Sequence, residues 1–138
     1  MSSISENVQL DQSFTDYLEF EYLEIADYQV DIAQAMITIK VINLEIMDQH
    51  PRYATLADSD EYLLIFKGVT QSQRRISIYK DGDVYASVFA SKDVHDDLFT
   101  ADATNQRKAY FVGGVLRQPP AWLGWDIIAA DYEITLPK

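Results

Sequence analysis

His50 and His95 are the two side chains of this chain whose ordinary pKa lies near neutrality. Proton transfer at neutral pH would begin with one of them, or with a carboxyl group raised by its surroundings. Neither histidine sits in a motif, and a lone histidine is more often structural or exposed than catalytic. With 22 aspartates and glutamates in the chain, a carboxylate pair for glycosidase-type acid and base work can always be drawn, so it discriminates nothing. Nucleophilic chemistry has less to start from. Cysteine is absent, and so are a G-x-S-x-G elbow and a glycine-rich phosphate loop. No catalytic residue is assigned and no cofactor is implied. The expectation leans away from an enzyme; one using carboxylate or histidine acid/base residues is the last of three readings.

Residues that could bind rather than react fall into four groups. Ser91 to Phe99, SKDVHDDLF, brings Asp93, His95, Asp96 and Asp97 close together. Read as a helix capped by Ser91 or Asp93, it puts Asp93 and Asp97 on one face and turns His95 elsewhere. Its acids suit the positive end of a helix dipole, so no metal site is expected. The stretch Asp48 to Asp60, DQHPRYATLADSD, is the longest loop between strong strands and holds His50, Arg52 and Tyr53 as ligand candidates beside Asp58 and Asp60. Trp122 and Trp125 could form a platform for a sugar ring or another flat ligand, with core packing as the ordinary alternative. An extended backbone would put them on opposite faces.

The fourth group follows from charge. The net charge is -11, and residues 1 to 66 contain 13 acidic side chains against 2 basic ones, Lys40 and Arg52, while the remainder is balanced. Such a field repels phosphate backbones and attracts basic surfaces, which disfavours direct nucleic-acid binding. Glu19, Glu21, Glu24, Asp27 and Asp31 could line one acidic stripe with Tyr22 and Tyr28 as anchors for a basic protein partner. The leading expectation is therefore a non-enzymatic acidic interaction protein of inhibitor, immunity or adaptor type. A carbohydrate or small-ligand binding β-domain is the alternative, and solubility alone would also explain the charge.

The elements that would hold these groups are mostly strands. Tyr28 to Met47 is the longest apolar run, and its β-branched residues favour strand over helix. Val30 and Ile32 take one face, Ile37, Ile39 and Val41 the other, and Ile42, Leu44 and Ile46 the first again, so breaks are expected near Ala33 to Ala35 and near Val41. Asp31, Gln34, Lys40, Asn43 and Glu45 fall inside the run and argue against membrane insertion. Tyr17 to Ile25 reads as a half-buried strand bulged near Tyr22 or Leu23. Glu61 to Lys67, EYLLIFK, reads as a central strand covered on both faces. Asp81-Gly82 suits a type I′ turn joining Ile76 to Lys80 with Asp83 to Ala90, which puts Ile78 opposite Tyr85 and Lys80 opposite Asp83. Ala109 to Leu116 holds the pair Gly113-Gly114, a sign of a bulge or a close backbone approach. A last strand runs through AWLGWDIIAADYEITL.

These elements indicate an all-β, mainly antiparallel fold: a β-sandwich or partly open barrel of 7–8 strands with one short helix near 92–99, and α+β as the alternative. One domain covers residues 1–138, with 1–13 as a loose N-terminal arm or a short turn of helix. The stretch MSSISENVQL lacks the basic and apolar regions of a signal peptide, so a cytoplasmic location is expected. Edge strands leave homodimerisation open.

Overall fold

A computed structural model describes residues 9–20, 23–57, 59–79, 88–96, 107–117 and 120–137, and it divides the long apolar run in two. Ile32 to Ala35 form a turn in which the Ala35 amide donates to the Ile32 carbonyl (3.2 Å), with Ala35 in the left-handed region at φ 53°. The flanking segments pair with each other as β3, Glu24–Asp31, and β4, Met36–Ile42. The first expected break is thus a turn. The second lies at Asn43 (φ 67°) and not at Val41, which stays in phase with Ile37 and Ile39 on a fully buried face. Asparagine adopts positive φ more readily than a β-branched residue.

The other elements are β1 (Gln9–Leu10), α1 (Gln12–Tyr17), β2 (Leu18–Glu19), β5 (Glu45–Ile46), α2 (Tyr53–Leu56), β6 (Glu61–Lys67), β7 (Gln71–Tyr79), β8 (Val88–Asp96), β9 (Lys108–Arg117), β10 (Pro120–Ala129) and β11 (Asp131–Thr135). The main sheet runs β11-β6-β4-β3-β9-β10-β7-β8, with β1 beside β9, and β2 and β5 form a separate short ribbon. Every long pairing is antiparallel. Two short pairings are parallel: β1 with β9, and β3 with β9, which joins only Glu24 and Ile25 to Val115 and Leu116. Two four-stranded antiparallel blocks therefore meet at one corner and fold face to face. Phe66 of β6 lies 5.1 Å from Tyr110 of β9, and Tyr28 of β3 lies 5.3 Å from Trp125 of β10. This is the expected all-β, sandwich-like architecture; the sheet does not close into a barrel.

Side-chain alternation sets which residues enter the core. Ile37, Ile39 and Val41 of β4, Tyr62, Leu64 and Phe66 of β6, and Leu123, Trp125 and Ile127 of β10 are all buried. In β3 the register steps from Ile25–Val41 to Asp27–Lys40, so Ala26 is the extra residue of a bulge. That bulge carries the inward side from Ile25 to Tyr28 and Val30. At the corner the Val115 amide donates to the Leu23 carbonyl (3.1 Å). A Cβ on Gly114 would lie 2.8 Å from that carbonyl oxygen, so only glycine allows the two backbones this close.

Several expectations are corrected. Residues 91–96 belong to β8, not to a helix near 92–99: Arg75 lies opposite Asp93 and Arg74 opposite Val94, and ladder pairing overrides a weak local helical signal. The β7–β8 hairpin forms, but Ile78 faces Ala90 and not Tyr85; the Asp81-Gly82 turn and the Lys80–Asp83 pair lie outside the described residues. In β6, Leu63 and Ile65 are only half-buried, so one face is core and the other is not. Tyr17 ends a helix and does not begin a strand. The expected last strand is divided at Ala130, whose amide donates to the carbonyls of Lys67 (3.0 Å) and Gly68 (3.2 Å), so β10 and β11 enter different blocks. Residues 9–13 are not a loose arm, because Gln9 and Leu10 pair with β9 and Asp11 caps α1.

The corner generates a prediction. Gly114→Ala forces Leu23 and β9 apart and should lower unfolding stability by about 1–3 kcal/mol, measured by urea denaturation. A midpoint equal to wild type would show that the corner tolerates a side chain.

Candidate functional site

The outer face of β9, β10, β7 and β8 presents a shallow open depression of about 320 Å³. Gly124 of β10 lines it, and Gly113, directly opposite on β9, lies buried beneath its rings. Phe111 lies two residues from Gly113 on β9, and Trp122 two residues from Gly124 on β10, so period-2 alternation puts both rings on the glycine face. A Cβ on Gly113 would approach the Phe111 and Trp122 rings to 2.9 Å each, so both rings rest over this backbone. Their outward surfaces stay open: Phe111 is 50% exposed and Trp122 38%. Rings covering glycine in a strand also protect backbone from water, which is their ordinary structural role.

Polar side chains frame the rings. Asp126 faces Phe111 on one side and Gln73 on the other, and Arg75 lies opposite both Gly124 and Asp93. Arg75 Nε and Nη2 donate to the two Asp93 carboxylate oxygens at 2.8 and 3.1 Å. The Arg75 hydrogen bonds hold the Asp93 carboxyl below its ordinary value. Asp126, by contrast, makes no hydrogen bond or ion pair among the described residues, and partial burial raises its carboxyl above its ordinary value.

Trp125, expected to share a platform with Trp122, is fully buried on the opposite face. Its indole N–H donates to Ser72 Oγ (2.7 Å), and Ser72 Oγ donates to Asp96 (3.1 Å). Asp96 also pairs with Arg74 (3.1 Å), and the guanidinium lies 4.9 Å from the Trp125 ring and 5.3 Å from the Tyr28 ring. Tyr28, proposed as a partner anchor, is thus half-buried in an interior clamp around Arg74. Phe111, whose ring shares this patch with Trp122, is not conspicuous in the sequence. Its signal was an aromatic residue two positions before Gly113 in a strand.

Among the acidic candidates, Glu24, Asp27 and Asp31 share the outer side of β3, because the bulge at Ala26 keeps Glu24 and Asp27 in phase. Asp27 lies opposite Lys40, and the Asp27 and Asp31 carboxylates accept from the amides of Tyr28 (2.8 Å) and Gln34 (3.0 Å). Glu19 lies apart, opposite Glu45 on the β2–β5 ribbon. Glu21 and Tyr22 are outside the described residues.

The loop candidates are drawn into the fold. His50 Nδ1 accepts from the Arg52 amide (3.0 Å), while burial and then the Arg52 charge hold its pKa below the ordinary value. Arg52 Nη1 donates to the Ile134 carbonyl of β11 (2.6 Å), and α2 buries Leu56, whose carbonyl accepts from the Tyr62 hydroxyl. Tyr53 is left exposed. The three residues do not converge on a common cavity.

The most enclosed ionisable cluster is Asp11 with Tyr110, Ser13 and Tyr132. Asp11 caps α1 through the Ser13 amide (3.1 Å) and accepts from the hydroxyls of Ser13 and Tyr110 (2.7 Å each); Ser13 in turn meets Tyr132 at 3.0 Å. Burial alone would raise the Asp11 carboxyl, but these donors and Lys108 outweigh it and hold it low. Burial, followed by the hydrogen bond to Asp11, pushes Tyr110 far up. The arrangement caps a helix and ties it to two strands, and it leaves no room for a substrate beside the carboxylate.

No group of three or more histidine, aspartate or glutamate side chains suited to a metal occurs among the described residues. No described helix is long and apolar enough to cross a membrane. Comparison of the chain with protein-family models, curated proteins and solved structures found no match.

The Arg74 clamp generates a prediction. Arg74→Ala leaves Asp96 nearly buried without its cation and should cost about 3–5 kcal/mol, whereas Arg74→Met combined with Asp96→Leu should recover most of that loss. Urea denaturation of wild type and the two variants decides it; no recovery would show that the ion pair itself is needed at this position.

Proposed function

We propose that this chain is a non-catalytic binding domain that takes the apolar face of a sugar ring, or of a similarly flat ligand, on Phe111 and Trp122. The observation that carries this reading is that two of the three exposed aromatic side chains among the described residues share one small patch of sheet. Pyranose rings combine an apolar C–H face with hydroxyls at the rim. Aromatic faces meet the former, and carboxylate, carboxamide and guanidinium groups meet the latter. Asp126, Gln73 and Arg75 supply those three groups at the edge of the rings. The glycine pair adds a further reason, since it lets the rings lie low and leaves space above them.

The test is a fluorescence titration of the whole chain with a panel of soluble oligosaccharides. A responding ligand should lose at least about tenfold in affinity in Trp122→Ala and in Phe111→Ala, with both variants within about 1 kcal/mol of wild-type stability. No response to any member of the panel, or a large loss of stability in both variants, would return the rings to a purely covering role.

A second reading rests on β3. Glu24, Asp27 and Asp31 on one strand face suit a basic protein surface, in keeping with the charge of the N-terminal half. Lysine at all three positions should abolish low-salt capture of a basic partner that wild type holds and that about 0.5 M salt releases; unchanged capture would remove this reading.

A further inference from the structure

Resting on the platform reading, we infer that the preferred ligand carries a free ammonium group on its ring, as an amino sugar does, and that Asp126 is the residue that selects it. Asp126 is a carboxylate without a protein partner among the described residues. It stands directly across the ladder from Phe111 and four residues from Trp122 on the same side of β10. A carboxylate only accepts hydrogen bonds, so a ligand group beside it must donate. An ammonium group offers three donors and a full charge, and a charge-assisted bond is roughly twice as strong as a neutral one. The neighbouring ring faces act in the same direction, because their quadrupoles attract cations.

The charged groups around Asp126 do not cancel this preference. Among the described residues lining the depression the cation is Arg75 of β7, and its Nε and Nη2 are already committed to Asp93 of β8 at 2.8 and 3.1 Å. His95, also on β8, is a further step away behind Gln73. On β9 the facing residue is Phe111, which carries no charge. Burial raises the Asp126 carboxyl above its ordinary value, and no described residue makes a hydrogen bond or ion pair with it. The same charge disfavours uronic acids, sialic acids and phosphorylated sugars.

The probes are glucosamine tetramer, its fully N-acetylated counterpart and a galacturonic acid tetramer, titrated against the whole chain at pH 6.5 and low salt. Wild type should bind the free-amine tetramer about tenfold or more tightly than the acetylated one and leave the galacturonate unbound. Asp126→Asn should bring the affinities for the first two within about twofold of each other. Equal binding of amine and acetyl forms by wild type would overturn the inference and leave the platform standing. So would retention of the amine preference in Asp126→Asn, since the protein's net charge of -11 would then be its source. No fluorescence response to any of the three, with Trp122→Ala indistinguishable from wild type, would overturn the platform and this inference together.

Discussion

A sheet that doubles back on itself must keep one hydrogen-bonded corner while its strands diverge everywhere else. Here that corner is the two-residue parallel pairing of Glu24 and Ile25 with Val115 and Leu116, extended by the bond from Val115 to the Leu23 carbonyl. The close approach depends on the missing side chain of Gly114. Once the corner fixes the relative placement of the two blocks, Tyr28 falls against Trp125 and Phe66 against Tyr110. The bulge at Ala26 follows from the same geometry, since β3 must leave the corner with Ile25 inward and continue with Tyr28 inward. Away from the corner, Phe14 of α1 fills the space between the blocks, with Tyr132, Tyr110, Phe20 and Phe66 at 5.0–5.8 Å. Asp11 holds that plug in place.

The same construction separates the two tryptophans by task. Consecutive residues of an extended strand face opposite ways, and the spacing of Trp122 and Trp125 puts one in the sandwich and the other outside it. The inward one is anchored by polar bonds to Ser72 and stacked with Arg74, which orders the interior between β3, β7 and β10. The outward one lies low over the backbone because the strand beside it carries glycine beneath the ring. Rigid scaffold and open surface thus come from a single strand.

Much of the strand framework was legible in the sequence, for reasons that can be named. Ile37, Ile39 and Val41 alternate cleanly, and the turn at Ala33 to Ala35 shows as a change of parity; both survive because one face of β4 is entirely core. The split of the C-terminal segment was not visible. Its signal is the left-handed Gly68 (φ 65°) packed against Ala130, a contact between residues far apart in the chain. The supposed helix at 92–99 failed for a similar reason: Val94 and Leu98 suggested helical spacing, but the partners that fix β8 lie on β7. The pair of exposed rings on the outer face was only partly legible, as Trp122 stands out in the sequence and Phe111 does not. Phe111 joins Trp122 only through the β9–β10 register, which sequence spacing does not contain.

The hydrogen bond from Arg52 to the Ile134 carbonyl has a consequence beyond anchoring a loop. An open sheet ends in two outer strands whose backbone groups can template the addition of another chain. At β11 the outer strand is short, and a guanidinium occupies one of its outward carbonyls. At β8, the other end, Lys92, Asp93 and His95 follow one another along the strand. Among the described residues the two borders of the unclosed sheet thus differ, one with a carbonyl already taken by an arginine and the other lined by polar and charged side chains.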